Sequence, residues 1–287
     1  VHQDGTLHIA CATQDIGTGT YTVLAQVVSE MTGLPFSRIH VQIGRSSLPE
    51  GPISGGSMAT ATLVPSVAEA TRKAVAALAK LATQEGGPFE GQREEELTLT
   101  ADGLKPRHGG RAVRVADLLA PRNLAYVSGE VHTRPGEETE QFSTRSFGAH
   151  CVEVRWHPGL ARLRVSRVTS VIDAGRIINH HTAANQVYGS IVMGVGMALL
   201  EHAVYDERTG GVVTDNLADY LVPVHADTPE MDLMLLDRPD PKIGEFGARG
   251  IGEIGLTGVA PAIAAAVYHA TGKRIRELPI TVEKLME

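Results

Sequence analysis

The chain has 287 residues, 43% of them hydrophobic and 21% charged, and a formal net charge of −7. That size and composition suit one or two domains with a large core and argue against disorder. The acidic balance, with no long Lys/Arg cluster, argues against a nucleic-acid partner, and no apolar run reads as a membrane-spanning helix.

Two cysteines, Cys11 and Cys151, lack metal or redox spacing and are expected to fill core space. No signal peptide is visible. The sequence opens Val1-His2-Gln3-Asp4 without an initiator Met and reads as part of a longer polypeptide.

In chain order, "GTLHIACA" reads as a strand and "TQDIGTGT" as a glycine-rich turn. "YTVLAQVVSEMTG" puts Val23, Leu24, Val27, Val28 and Met31 on one helical face, with Gly33 as C-cap. "RIHVQIG" is a second strand, and "RSSLPEGPISGGSMATAT" a long loop of small residues. "PSVAEATRKAVAALAKLA" is an amphipathic helix with Pro65 in its first turn.

From Thr83 the chain turns polar. A surface excursion and a hairpin around "LTLTADGL" occupy residues 83–112. A soft boundary here predicts two parts, residues 1–112 and 113–287. "AYVSGEV" is a further strand and "TRPGEETEQFSTRSFG" a loop. "HCVEVRW" and "LARLRVSRVTSVID" pair as strands across "HPG". "TAANQVYGSIVMGVGMALLEH" is a helix carrying Gly189, Gly194 and Gly196, each costing about 1 kcal/mol against Ala. That cost points to close approach by another backbone or a ligand. The "GARGIGEIGL" loop, the helix "VAPAIAAAVYHATG" and a strand-like "ELPITV" follow. Asp15-Ile16-Gly17 and Asp173-Ala174-Gly175, each after a strand and before a helix, hint at two related halves.

Several segments have chemical potential. "DIGTGTYT" can converge backbone N–H groups on an anion, and is equally a tight strand-to-helix connection. It is neither a Walker loop nor a dinucleotide fingerprint. "SGGSMATAT" can press its backbone against a flat or phosphorylated ligand, or be a flexible surface loop. Gln186 offers an amide to a ligand oxygen, or lies on the surface. The twelve histidines show no HExxH or zinc spacing, so no metal ligand is expected among the side chains. Glu253 is a lone carboxylate among glycines and aliphatics. A dry setting there would raise its pKa and make it a general base; the alternative is a solvent-facing glutamate or a partner of Arg249.

The ordered set "DIGTGTYTVLAQVVSEMTGLPFSRIHVQIG", "LPEGPISGGSMAT", "SFGAHCVEV", "VIDAGRIIN", "NQVYGSIVMGVGMALLE", "DNLADYLVP" and "GIGEIGLTGVAPAIAAAVYHATGKRIRELPIT" resembles the C-terminal molybdopterin-binding region of the xanthine dehydrogenase/aldehyde oxidase family of molybdenum hydroxylases. The resemblance covers nearly the whole chain. It implies an α+β fold of two related α/β subdomains, the second carrying the catalytic glutamate loop. It also implies a molybdenum–molybdopterin cofactor whose metal is held by the pterin dithiolene and by no side chain.

On this resemblance Glu253 is the base that takes a proton from Mo–OH, and hydride passes to Mo=S during oxidation of an aldehyde or N-heterocycle. Cofactor contacts fall on Ile16, Gly17, Thr18 and Gly19, on Gly55, Gly56, Ser57, Met58, Ala59 and Thr60, and on Gln186. Many members carry GQG where this chain has Gly17-Thr18-Gly19, a form resembling a bacterial aldehyde-oxidoreductase branch. The departure leaves open whether Thr18 contacts the cofactor by side chain or by backbone alone. The cytosine dinucleotide form of the cofactor is expected.

Implied partners are the N-terminal part of the same subunit and subunits bearing Fe–S clusters and FAD. A cytoplasmic location is expected, with export alongside a partner as the other course. By itself the chain is expected to be inactive. The competing reading is a non-catalytic cofactor-binding or carrier module, which needs the loops but not Glu253.

Overall fold

A computed structural model describes residues 1–286, leaving aside the side chains of residues 138 and 139. The chain divides into two compact units, Val1–Thr144 with Asp240–Ala248, and Arg145–Pro239 with Arg249–Glu287.

In the first unit, β1 (Leu7–Ala10) and β2 (Ile39–Gln42) pair in parallel, Leu7 opposite Ile39 and Ala10 opposite Gln42. A parallel pair needs a crossover, and α1 (Thr20–Thr32) supplies it. Val23, Leu24, Val27 and Val28 of α1 are buried, the stripe that the 3.6-residue spacing predicts. Gly33 stops the helix in the left-handed region at φ 68°, its N–H donated to Ser29 O.

The second helix, α2, spans Ala59–Thr83, six residues earlier than the sequence suggests, and Pro65 lies inside it. Ala59, Thr60, Ala61 and Thr62 lack the apolar stripe that marks a helix in sequence. Its buried face holds Leu63, Val67, Thr71, Ala74, Leu78 and Ala82. The expected hairpin forms as β3 (Leu97–Thr100) and β4 (Gly103–Pro106). Beyond it come the short helices α3 (Val115–Leu119) and α4 (Glu138–Gln141). Val115, Leu118 and Leu119 pack into the same core as α1 and α2. "AYVSGEV" forms no strand: Tyr126 makes a single bridge to His2, and Val127 bonds Val1.

In the second unit, β5 (Phe147–His157) and β6 (Arg162–Asp173) pair antiparallel as expected, with a bulge at Glu153/Val154. The helix α5 (His180–Leu199) is capped by Asn179, whose side chain accepts the Thr182 N–H at 3.0 Å. A third strand, β7 (Glu230–Leu235), joins β6 in parallel to give the order β5-β6-β7. The chain closes with α6 (Ile254–Thr257), α7 (Val259–Thr271) and α8 (Val282–Met286). "ELPITV" is not a strand but a bend leading into α8.

Val168 and Ile172 of β6, Val187 and Ile191 of α5, and Val259, Ile263 and Val267 of α7 form this unit's core. Each such side chain contributes roughly 1.5–3 kcal/mol of burial. Ile254–Thr271 is apolar and long enough to cross a membrane by composition, contrary to the sequence expectation. The span is broken at Gly258 into α6 and α7, and Val259, Ala260, Ile263 and Val267 lie in this unit's core. Cys11 is buried as expected, whereas Cys151 is exposed because it falls on the outward side of the alternating β5.

The helix glycines divide by surroundings. A Cβ at Gly194 would lie 2.6 Å from Val259, so α7 approaches α5 there. One at Gly196 would meet Glu201 and Pro223. Gly189 faces open space, and no backbone approaches it.

Candidate cofactor loops and glutamate loop

The first unit presents the turn after β1 and the loop before α2. In the turn, backbone N–H groups do converge on an anion, but the anion is the chain's own. Asp15 Oδ1 accepts the N–H groups of Gly17 (2.9 Å) and Gly19 (3.2 Å), and Oδ2 accepts that of Tyr21 (3.4 Å). Burial works to raise the Asp15 pKa, yet these backbone donors together hold it below the ordinary carboxylate value. Gly17 and Gly19 have φ of 101° and 82°, a region that side chains rarely adopt. Thr18 spends its hydroxyl on Thr20 (3.2 Å) and Asp15 (3.4 Å). The turn therefore presents Ile16, which is 70% exposed, and the open face of Gly17.

The Gly55–Thr60 loop is tied to this region. Ser54 donates its N–H to Gln14 Oε1 (3.0 Å) and its hydroxyl to Gln14 O (2.6 Å). Gly56 and Ser57 both have positive φ, 64° and 55°. For serine this conformation is uncommon. The Ser57 Oγ is also buried without a hydrogen-bond partner, which costs about 1–3 kcal/mol. Next comes the N-terminus of the 25-residue α2, with Met58 at its cap and no side-chain cap bond. An orphaned hydroxyl beside an uncapped helix N-terminus suits an anionic or strongly polar ligand.

The second unit carries Gln186 and Glu253. Gln186, in the second turn of α5, is half-buried, and its side-chain amide has no partner among the described residues. Its carbonyl accepts the Ser190 hydroxyl at 2.8 Å. Glu253 stands at the cap position of α6. Of the settings that the sequence leaves open for Glu253, the structure shows an exposed side chain. The small residues around it serve packing instead. Gly255 lies against Val187 and Ser190 of α5, and Gly258 against the His150 ring. Ser190 also donates to Gly252 O at 3.3 Å. The Glu253 loop thus rests on the segment of α5 just beyond Gln186.

Further groups fix this loop, among them Arg249, which the sequence offered only as a partner for Glu253. Arg249 is ion-paired with Asp173, their side chains only 10% and 13% exposed. Its N–H is donated to Ala174 O at 2.8 Å, and Ser146 Oγ donates to Gly250 O at 2.5 Å. His150 bonds the buried Ser170 through Nδ1 at 2.8 Å and also the backbone of Ile254; burial lowers its pKa. Asp15 and Asp173 could have been found from the DIG/DAG echo: each takes the N–H of the glycine two residues on, at 2.9 and 3.1 Å.

Residues 1–229 match the family described as molybdopterin cofactor-binding domain. The chain belongs to that family. This molybdopterin cofactor-binding domain is 38% identical over 287 residues to the aldehyde oxidoreductase molybdenum-binding subunit PaoC of Escherichia coli K12. That alignment takes in the whole chain and 37% of PaoC. It is 29% identical over 297 residues to the putative xanthine dehydrogenase molybdenum-binding subunit XdhA of the same organism, all of the chain and 38% of XdhA. The chain therefore spans well under half the length of these relatives.

The domain's fold is similar to that of part of quinoline 2-oxidoreductase from Pseudomonas putida 86, with a TM-score of 0.84 at 23% identity over 99% of this chain and 36% of that one. A Cu,Mo-CO dehydrogenase aligns over the whole chain and 36% of its own, with a TM-score of 0.83 at 23% identity. The α+β class read from the sequence is this fold. The buried Ser57 hydroxyl and the open, positive-φ glycines at 17 and 56 fit a cofactor carrying polar and phosphate groups.

Proposed function

We propose that the protein is part of the molybdenum-binding subunit of a molybdenum hydroxylase that oxidises an aldehyde or an N-heterocycle with oxygen drawn from water. The observation that carries this reading is the seating of the Glu253 loop on α5. Gly255 packs on Val187 and Ser190, beside a Gln186 whose amide is left for a ligand. Support also comes from relatives named as aldehyde oxidoreductase and xanthine dehydrogenase molybdenum-binding subunits.

When bound, the molybdenum cofactor supplies the two-electron redox centre. The chain's own residues hold and orient. The orphaned Ser57 hydroxyl and the first N–H groups of α2 meet the cofactor's anionic tail, together with Gly55, Gly56, Met58, Ala59 and Thr60. Ile16, Gly17, Thr18 and Gly19 form a second wall by shape, since Asp15 consumes the N–H groups of both glycines. Gln186 donates or accepts at a cofactor oxygen or nitrogen.

Glu253 receives a proton at a carboxylate oxygen, a role worth about 10²–10⁴ in rate. Glu253 is exposed in this chain, so bound cofactor and substrate cover it and keep water from the proton transfer. The tail is the cytosine dinucleotide form. Electrons leave through partner subunits bearing Fe–S clusters and FAD, and the assembly is cytoplasmic.

A second reading is a cofactor carrier without catalysis, which needs the loops at residues 16–19 and 55–60 but not Glu253. The test is to purify the full-length subunit with its partners and measure molybdenum, acid-released cytidine monophosphate and dye-linked oxidation of an aldehyde panel and an N-heterocycle panel. Molybdenum and cytidine monophosphate near one each per subunit, with turnover, support the first reading. Cofactor without turnover on any substrate supports the carrier. Absence of molybdenum contradicts both.

A further inference from the structure

The seating of Glu253 depends on a contact between residues 76 positions apart. Asp173 ends β6, in the core sheet of its unit, and Arg249 begins the loop that leads to Glu253. Their side chains form an ion pair nearly closed to solvent. The Arg249 guanidinium also reaches Asp173 O at 3.4 Å and lies 5.7 Å from the centre of the Phe147 ring. Its backbone N–H is donated to Ala174 O, so both ends of the residue are attached to the same turn. Asp173 is itself held in place by the Gly175 N–H at 3.1 Å.

Downstream of this anchor the loop is rich in glycine, at 250, 252 and 255, and has little stiffness of its own. The loop is also held by the hydroxyl of Ser146 on Gly250 O, that of Ser190 on Gly252 O, the bond between His150 and the Ile254 backbone, and the packing of Gly255 on α5. A buried charged pair is an unusual way to hold a loop. Its desolvation cost approaches or exceeds its Coulombic gain, so its value lies in fixing one arrangement. A guanidinium is suited to this because its planar fork fixes direction as well as distance.

We propose that Asp173 and Arg249 are positioning residues: their ion pair sets the place of the Glu253 carboxylate and thereby the rate of proton transfer, without touching substrate or cofactor. The inference rests on the reading of Glu253 as the base. A displacement of the order of 1 Å at a reacting group can cost about 10² in rate, and the glycines at 250 and 252 give the backbone between Arg249 and Glu253 little stiffness of its own. Asp173→Asn keeps the shape but leaves the Arg249 charge buried without its counter-charge. Arg249→Lys keeps the charge but loses the fork. Val168→Ala, at a fully buried position of the same strand outside the clamp, is the control for plain loss of stability.

The experiment compares these variants in the holoenzyme by two readouts. One is amide hydrogen exchange over residues 249–256 without substrate; the other is kcat and KM. Exchange over 249–256 should quicken in Asp173→Asn, and to a smaller degree in Arg249→Lys. In Val168→Ala any change should spread over β6 and α5. The kcat of Asp173→Asn should fall by about tenfold or more with KM nearly constant, Arg249→Lys should fall between it and the parent, and Val168→Ala should keep the parent kcat. Unchanged exchange over 249–256 would overturn the proposal, as would quickened exchange with an unaltered kcat. If Asp173→Asn does not fold, Arg249→Lys decides by the same two criteria. The separate variant Glu253→Gln distinguishes the two claims: if it retains turnover the reading of the base fails, while the exchange result still reports whether the clamp holds the loop.

Discussion

Gly255 has no room for a side chain: a Cβ there would stand 2.9 Å from the Ser190 Cβ and 3.1 Å from the Val187 Cα. The first of these is a distance that real Cβ atoms do not show. The contact is what lets the Glu253 loop lie flat on α5. Gly255→Val should lower stability by roughly 1–3 kcal/mol, the usual cost of overpacking. Chemical denaturation of variant and parent measures this. A stability within experimental error of the parent would mean that α6 does not press on α5 as described.

Gly189 lies on the same helix with the opposite surroundings. Nothing approaches within 4 Å of a Cβ built there. Gly189→Ala should therefore stabilise the protein by about 0.5–1 kcal/mol through helix propensity. A destabilised variant would mean that a group packs on this position after all.

Asp15 gathers the N–H groups of its own turn, and its pKa is held down by them against the opposing effect of burial. A carboxyl whose folded pKa lies below its unfolded value stabilises the fold above the unfolded pKa and loses that contribution as pH falls through the folded one. Asp15→Asn should thus cost stability at neutral pH, by about 1 kcal/mol as for a lost helix cap. The difference from the parent should shrink as pH drops below the ordinary aspartate range. Urea melts at a series of pH values check this; a difference that persists unchanged into acid would contradict it.

His150 gives a slope of the same sign at higher pH. Burial lowers its pKa, with the Ile254 backbone bond acting the other way. In the unfolded chain it binds a proton near its ordinary value while the folded form does not, so acidification through that range favours unfolding. Stability should fall as pH drops from about 7 through the ordinary histidine range near 6.5, and His150→Gln should flatten that part of the curve. An identical slope in the variant would remove His150 from the account.

The sequence makes periodic and punctuated elements legible. Gly33 marks the end of α1, and the β-branched runs on either side of "HPG" mark β5 and β6. The start of α2 is obscured because Ala59 to Thr62 carry small and hydroxylated side chains with no apolar stripe. β7 carries the period-2 signal of a strand: Met231, Leu233 and Leu235 are half-buried and alternate with exposed Glu230, Asp232 and Met234. "AYVSGEV" has strand composition but finds no neighbouring strand to complete a ladder.

At the site, the glycine loops and Glu253 are visible because their composition is unusual. The exposure of Glu253 and the pairing of Asp173 with Arg249 arise from tertiary contacts that no local pattern announces, whereas the self-directed Asp15 turn is local and the DIG/DAG echo marks it. The boundary drawn after residue 112 follows a change in polarity, whereas the packing of Val115, Leu118 and Leu119 follows the core.

The central claim is that cofactor holding and proton transfer reside on different residues of this chain. The most direct measurement is the rate at which substrate reduces the isolated holoenzyme of Glu253→Gln under anaerobic conditions, taken beside its molybdenum content. The account predicts molybdenum at the parent level and reduction slowed by about 10² or more. Reduction at the parent rate, or loss of molybdenum from the variant, would contradict it.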